Sequence, residues 1–267
     1  MSAEPRIRLA AAEPGIAELS IRIPPVNVLR GADLRELARC VEGSAARVLI
    51  VSGLPRAFSA GVEVAEHVPD AGSIEEMLAA MRAALTALLR TPAVTVASVS
   101  GACLGGGAEI AAACDFVLAA EEARIGFPEI QLACFPPGAA ALLPERIGPA
   151  RAADWILSGK TVSGREAAAA GFAARAVPTE RLGEETRRLA RSLAGRSETA
   201  LSAVLPLLRR DRLEALEQVL PRAEEAYRGL TGDAELARAV RDFDEQKHKD
   251  KHKDKHKDKD KRKPPRP

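Results

Sequence analysis

The chain has 267 residues, 46% of them hydrophobic, enough to bury one sizeable core or a core with a small appendage. Aromatic residues make up only 3%, so Ala, Val, Leu and Ile must fill that core, and alanine-rich helices are expected. The net charge of +2 conceals an asymmetry: residues 247–267 hold 11 Lys and Arg against 4 Asp, which leaves about −5 on the preceding 246 residues and gives the body no case for nucleic-acid binding.

In chain order, Ile7-Arg8-Leu9 and Ile16 to Ile21 read as two short strands around a Pro14-Gly15 turn. Pro24 to Leu29 is an extended, proline-stiffened segment. An amphipathic helix is expected from Asp33 to about Glu42, then a buried strand from Val48 to Gly53. Residues 57–64 read as a small apolar loop where backbone could meet a ligand. Ser73 to Arg90 is a helix stopped by Thr91-Pro92, and Ala93 to Val99 is a β-rich run. This alternation predicts an α/β protein.

The run Ser100-Gly101-Ala102-Cys103-Leu104-Gly105-Gly106-Gly107-Ala108-Glu109 places three glycines where a strand gives way to an alanine-spaced helix. Backbone without Cβ, at a helix start whose first N–H groups lack intrahelical partners, can donate to an oxygen carrying negative charge. Glu109, three residues after Gly106, falls on the same side as those N–H groups. The glycines can equally serve close helix packing, with Glu109 complementing the helix dipole. Neither the dinucleotide nor the nucleoside-triphosphate glycine pattern can be written onto the run.

Further on, Asp115 to Ala120 reads as a strand, Arg124 to Glu129 leads into a segment rich in turn formers up to Gly138, and residues 149–158 and 163–170 read as helices, the second ended by Gly171. After Val177-Pro178 the helical patterns 182–194, 198–209, 213–228 and 234–243 carry little β character. The tail from Lys247, with His248, His252 and His256, is low in complexity and is expected to be disordered. Lysines beside each of those histidines repel a cation, so electrostatic attachment to nucleic acid or an acidic partner is the better expectation for the tail. The four cysteines, Cys40, Cys103, Cys114 and Cys134, show no ligand-like spacing, which predicts reduced thiols, no metal site and a cytoplasmic protein. The start of the chain has no apolar leader pattern, and no apolar run approaches the ~18 residues of a membrane span.

Three motifs, in order and spacing, are similar to the crotonase (enoyl-CoA hydratase/isomerase) superfamily: Phe58-Ser59-Ala60-Gly61-Val62-Glu63, Gly101 to Ala111 with Leu104-Gly105-Gly106-Gly107-Ala108-Glu109, and Ile125-Gly126-Phe127-Pro128-Glu129-Ile130-Gln131-Leu132. The resemblance covers residues 6–245. It implies a spiral of ββα repeats with a helical region that builds a trimer or a dimer of trimers, dividing the chain into a core (1–195), a helical oligomerisation region (196–246) and the tail (247–267). By residue match it implies an oxyanion hole from the N–H groups of Ala60 and Gly106, catalytic carboxylates Glu109 and Glu129, and contacts to acyl-CoA from Ala60, Gly61, Val62, Glu63, Gly105, Gly106, Pro128 and Pro137. CoA is then part of the substrate and no cofactor is implied. Having both carboxylates favours hydratase over isomerase chemistry.

The stretch Phe135-Pro136-Pro137-Gly138-Ala139-Ala140-Ala141 departs from the usual glycine-rich hydratase loop. Together with Pro24 to Leu29 and residues 58–67, it resembles the cyclohexa-1,5-diene-1-carbonyl-CoA hydratases of anaerobic aromatic degradation. His67, beside Glu66, is read as solvent-facing, with a place in the acyl pocket as the alternative.

Overall fold

Runs of Val, Ile, Leu and Ala build a mostly parallel sheet whose central strands are buried on both faces, and the turns between them carry the site. The structure is a computed structural model that describes residues 5–63, 71–230, 232–243 and 245; His67 and the tail from Lys247 onward lie outside the described residues. In chain order come β1 (Ile7–Glu13), β2 (Ile16–Ile21), β3 (Val28–Leu29), α1 (Gly31–Glu42), β4 (Val48–Ser52), β5 (Ala57–Ser59), β6 (Gly61–Val62) and α2 (Ala71–Arg90). There follow β7 (Val94–Val99), β8 (Ala102–Leu104), α3 (Gly106–Ala113), β9 (Phe116–Ala120), β10 (Arg124–Gly126), α4 (Pro137–Ile147) and α5 (Pro149–Ser158). The described chain continues through β11 (Thr161–Ser163), α6 (Gly164–Ala170), β12 (Arg175–Val177), α7 (Leu182–Ala194), α8 (Glu198–Gln218), α9 (Leu220–Arg228) and a helix over residues 234–243.

The larger sheet has the order β1-β2-β4-β7-β9-β12, antiparallel at the β1–β2 hairpin and parallel elsewhere. A second sheet has the order β11-β10-β8-β5. Three times a long strand of the first sheet is followed at once by a short strand of the second: β4 by β5, β7 by β8, and β9 by β10. This is the α/β architecture of repeated ββα units that the resemblance implies. Among the described residues no helix is long and apolar enough to cross a membrane.

Three local expectations are corrected. Residues 57–64, read as a loop, contain β5 and β6, because each pairs with a neighbour already in place: β5 with β8 and β6 with β3. The turn-rich stretch ending at Gly138 runs straight into α4, with Pro137 at its first turn, where a missing N–H costs nothing. Helix α8 continues to Gln218 through the charged run Arg209-Arg210-Asp211-Arg212, where a break is expected.

The reason for the last is a buried clamp. Arg209, 2% exposed, donates to Asp115 Oδ1 at 2.8 Å and to the carbonyls of Leu89, Thr91 and Ala93. Arg212 adds a bond to Asp115 Oδ1 at 3.2 Å, and Thr95 donates to Oδ2 through its N–H and its hydroxyl. Burial alone pushes the Asp115 carboxyl up, but the bonds from Arg209, Thr95 and Arg212 outweigh it and hold the group below its ordinary value. Arg209→Met leaves Asp115 short of its main partner and strands three carbonyls, so it should cost about 3–5 kcal/mol of stability, read as a lowered midpoint in urea.

Candidate active site

The chain leaves β8 through Gly105, whose φ of +50° is a conformation that L side chains rarely adopt. Gly105 N–H donates to Gly126 O at 2.9 Å, and its carbonyl accepts from Glu109 N–H at 2.9 Å, the first full turn of α3. Gly106 N–H therefore precedes every intrahelical donor. A Cβ on Gly106 would stand 2.6 Å from Val62 Cγ2, 2.7 Å from Met81 Cε and 3.8 Å from Val62 N. A side chain on Gly106 would have to displace the Val62 and Met81 side chains, while the Val62 backbone stays at ordinary contact distance.

The facing wall, β5 to β6, is held by Asn27. This fully buried residue, at φ +54°, accepts from Ile23 N–H at 2.7 Å and donates to Ala57 O and Phe58 O at 3.0 and 2.9 Å. Ser59 Oγ donates to Asn27 O at 2.7 Å. The proline-stiffened segment thus serves to set β5 and β6 in place. It also engages Ala60, whose N–H donates to Val26 O at 2.9 Å. That corrects the expectation for Ala60, since an N–H bonded within the fold is not open to a thioester oxygen. Val62, two residues on, presents a different N–H. In the parallel ladder Val62 lies opposite Leu29, and Glu63 N–H donates to Leu29 O at 2.8 Å, so the N–H of Val62 points away from β3.

Between these walls lies a cavity of about 290 Å³ lined mostly by apolar groups. Ala60, Gly61, Val62, Gly105, Gly106, Pro128 and Pro137 border it, as do both glutamates; Glu63 lies outside the lining and is tied to β3 through its N–H. Glu109 is 3% exposed, and its Oε1 accepts from Ala139 N–H at 2.9 Å. Burial pushes its pKa up to about 7, against the pull of the Ala139 and Gly138 N–H groups. Glu129 sits in the one-turn helix Pro128–Leu132, with Oε2 buried and, among the described residues, without a hydrogen-bond partner. Burial, then the neighbouring Glu109, raise its pKa to about 8. Two carboxyls that resist ionisation and sense each other can divide an acid and a base role.

Sequence reasoning missed the third wall. Met77 and Met81 of α2, Tyr227 of α9, and Leu236, Val240 and Phe243 of the 234–243 helix also line the cavity. Tyr227, 1% exposed, hydrogen-bonds the Cys134 thiol, which donates to Glu129 O at 3.4 Å, and its ring meets Phe135 edge-on at 5.5 Å. Burial pushes the phenol well above its ordinary value. The one available signal was that this is the only tyrosine in the chain.

A family model described as enoyl-CoA hydratase/isomerase matches residues 11–255. The chain belongs to that family. It is 33% identical over 210 residues, 76% of this chain and 81% of the relative, to a Bacillus subtilis protein named "Probable enoyl-CoA hydratase". It is 34% identical over 155 residues, 57% of this chain and 59% of the relative, to the cyclohexa-1,5-dienecarbonyl-CoA hydratase of Thauera aromatica. The crystal structure of an enoyl-CoA hydratase from Bacillus anthracis superposes with a TM-score of 0.74 at 28% identity, covering 83% of this chain and 90% of that one. The protein is thus a hydratase-type enzyme of the crotonase superfamily.

A carboxyl whose folded pKa is raised costs stability above its unfolded value, and the cost grows until the folded value is passed. Glu109→Gln keeps the acceptor for Ala139 N–H but removes that cost. The unfolding free energy of this variant, read from urea denaturation, should therefore exceed that of wild type at pH 8, by up to about 3 kcal/mol, and match it near pH 4.

Proposed function

We propose that the protein is a hydro-lyase that adds water to, or removes it from, an α,β-unsaturated acyl-CoA thioester through an enolate. The observation that carries this reading is the pair of coupled carboxyls, Glu109 and Glu129, in one apolar cavity beside two backbone N–H groups. The thioester oxygen is held by Gly106 and Val62 N–H. Glu109, oriented by Ala139 N–H and lower in pKa, takes a proton from water as its oxygen bonds to the β-carbon. The π electrons move onto the thioester oxygen, where the two donors stabilise the enolate. Glu129, still protonated in its buried position, then delivers its proton to the α-carbon. CoA enters as part of the substrate, and the proton transfers call for no further cofactor.

The favoured acyl group is a cyclic dienoyl, supported by the similarity to the Thauera aromatica hydratase and by the apolar cavity. Such a role belongs to aromatic degradation. Assembly as a trimer or a dimer of trimers is supported by Leu207 and Leu208, 72% and 68% exposed on α8.

Incubation in H₂¹⁸O with crotonyl-CoA and cyclohexa-1,5-diene-1-carbonyl-CoA side by side tests the reading. Mass spectrometry should show one oxygen-18 in the product, with the ring substrate preferred. Glu109→Gln should abolish incorporation, and Val62→Pro, which deletes the proposed donor, should lower kcat about 10²–10³-fold. A shifted double bond without added mass would establish isomerisation instead.

The pH profile gives a separate check. Catalysis needs one carboxylate and one carboxylic acid, so kcat/KM should peak between the two values near 7 and 8. It should fall below pH 7 as the base is protonated and above pH 8 as the acid is lost.

A further inference from the structure

Besides Glu109 and Glu129, the described residues lining the cavity include two charged ones, Arg82 of α2 and Glu224 of α9. Arg82 Nε donates to Glu224 Oε1 at 3.0 Å, and a second guanidinium nitrogen closes on Oε2. Arg228 stands 3.9 Å from the same Oε2 while holding Glu75 at 2.5 Å, so two cations and two anions balance across α2 and α9. Glu224 is 1% exposed, and a carboxylate buried that deeply keeps its charge only in the company of a cation. Around the pair, Met77, Leu78, Leu236 and Val240 present methyl and methylene groups to the cavity. A group entering here meets apolar surface and a guanidinium whose charge is already matched.

We propose that the Arg82–Glu224 pair sets acyl specificity, admitting an uncharged apolar acyl group and rejecting one that ends in a carboxylate. An incoming carboxylate would lose its water on an apolar wall, with the Glu224 carboxylate as an anionic neighbour and Arg82 already engaged. Glu224→Gln keeps the shape of the wall, removes one negative charge and leaves Arg82 to receive that carboxylate. The inference rests on the acyl-CoA reading of the site.

Titration calorimetry on the full chain separates the two, using hexanoyl-CoA and adipoyl-CoA, saturated thioesters of equal acyl length that cannot be hydrated, with CoA alone as reference. Wild type should bind hexanoyl-CoA more tightly than adipoyl-CoA by about tenfold or more, and Glu224→Gln should shift that ratio by about tenfold toward adipoyl-CoA. The double variant Arg82→Met, Glu224→Met should restore the neutral preference, and affinity for CoA alone should stay constant throughout. Equal wild-type affinities overturn the inference even if the variants fail to fold. So does a Glu224→Gln loss that is the same for both thioesters, because the pair then merely ties α9 to α2. A variant that binds CoA itself more tightly also overturns it, placing the pair against the nucleotide arm. If neither thioester binds wild type more tightly than CoA alone, the acyl-CoA reading fails first.

Discussion

The carboxyl of Glu129 rests against the α-carbon of Gly105, where a methyl group would stand 2.5 Å from Oε1. Much of the site follows from that approach. Gly105 can take φ +50°, so β8 turns directly into α3, and the N–H of Gly106 and the side chain of Glu109 enter the cavity from one short stretch of backbone. Gly138 packs in the same way against the Glu109 carboxyl, and it is burial, more than the charge of a neighbour, that lifts both groups toward neutral pH. Geometry that serves packing and geometry that serves chemistry are here the same geometry.

The parts legible in the sequence were those fixed locally. Consecutive apolar residues at Val48 to Val51 gave a buried strand, and three glycines before a helical alanine pattern gave the turn and placed Glu109 on the side of its free N–H groups. Which backbone N–H remains open is settled by tertiary contact. Ala60 and Val62 sit two residues apart in one motif, yet Val26 engages the first and the direction of the β3–β6 ladder leaves the second pointing away. No spacing rule distinguishes them. Helix α4 was hidden because Pro136-Pro137-Gly138 reads as a turn, although a proline at the first helical position is also a start signal. Arg209 was hidden for a different reason: four charged residues in a row suggest solvent, and only Asp115, far away in sequence, gives one of them a reason to be buried.

The C-terminal helices complete the cavity rather than standing apart from it. Ile74, Met77 and Leu78 of α2 pack with Cys134, Tyr227, Leu236 and Val240 in a small cluster separate from the main core. This cluster closes a further side of the cavity with apolar contacts, while the ion pairs of Arg82 and Arg228 join α2 and α9 there. Non-directional burial supplies most of the cohesion there, and the charges fix which groups face inward.

The helix that carries Glu109 is only eight residues long and every one of them is buried. Such a helix has little intrinsic stability, so its position must be imposed from both ends. At its start, Gly105 is locked between Gly126 and Glu129; at its end, Cys114 leads into Asp115, which Arg209 and Arg212 of α8 grip. Helix α8 in turn runs into α9 at Val219, which sets where Tyr227 and Glu224 reach the cavity. The buried Arg209–Asp115 clamp thus bears on the placement of the cavity's carboxyls from outside the cavity lining. It fixes the far end of the Glu109 helix and the origin of the α9 wall together, and under the reaction proposed above this would keep base, acid and backbone donors at one spacing before a substrate arrives, the condition under which preorganised dipoles lower a barrier most.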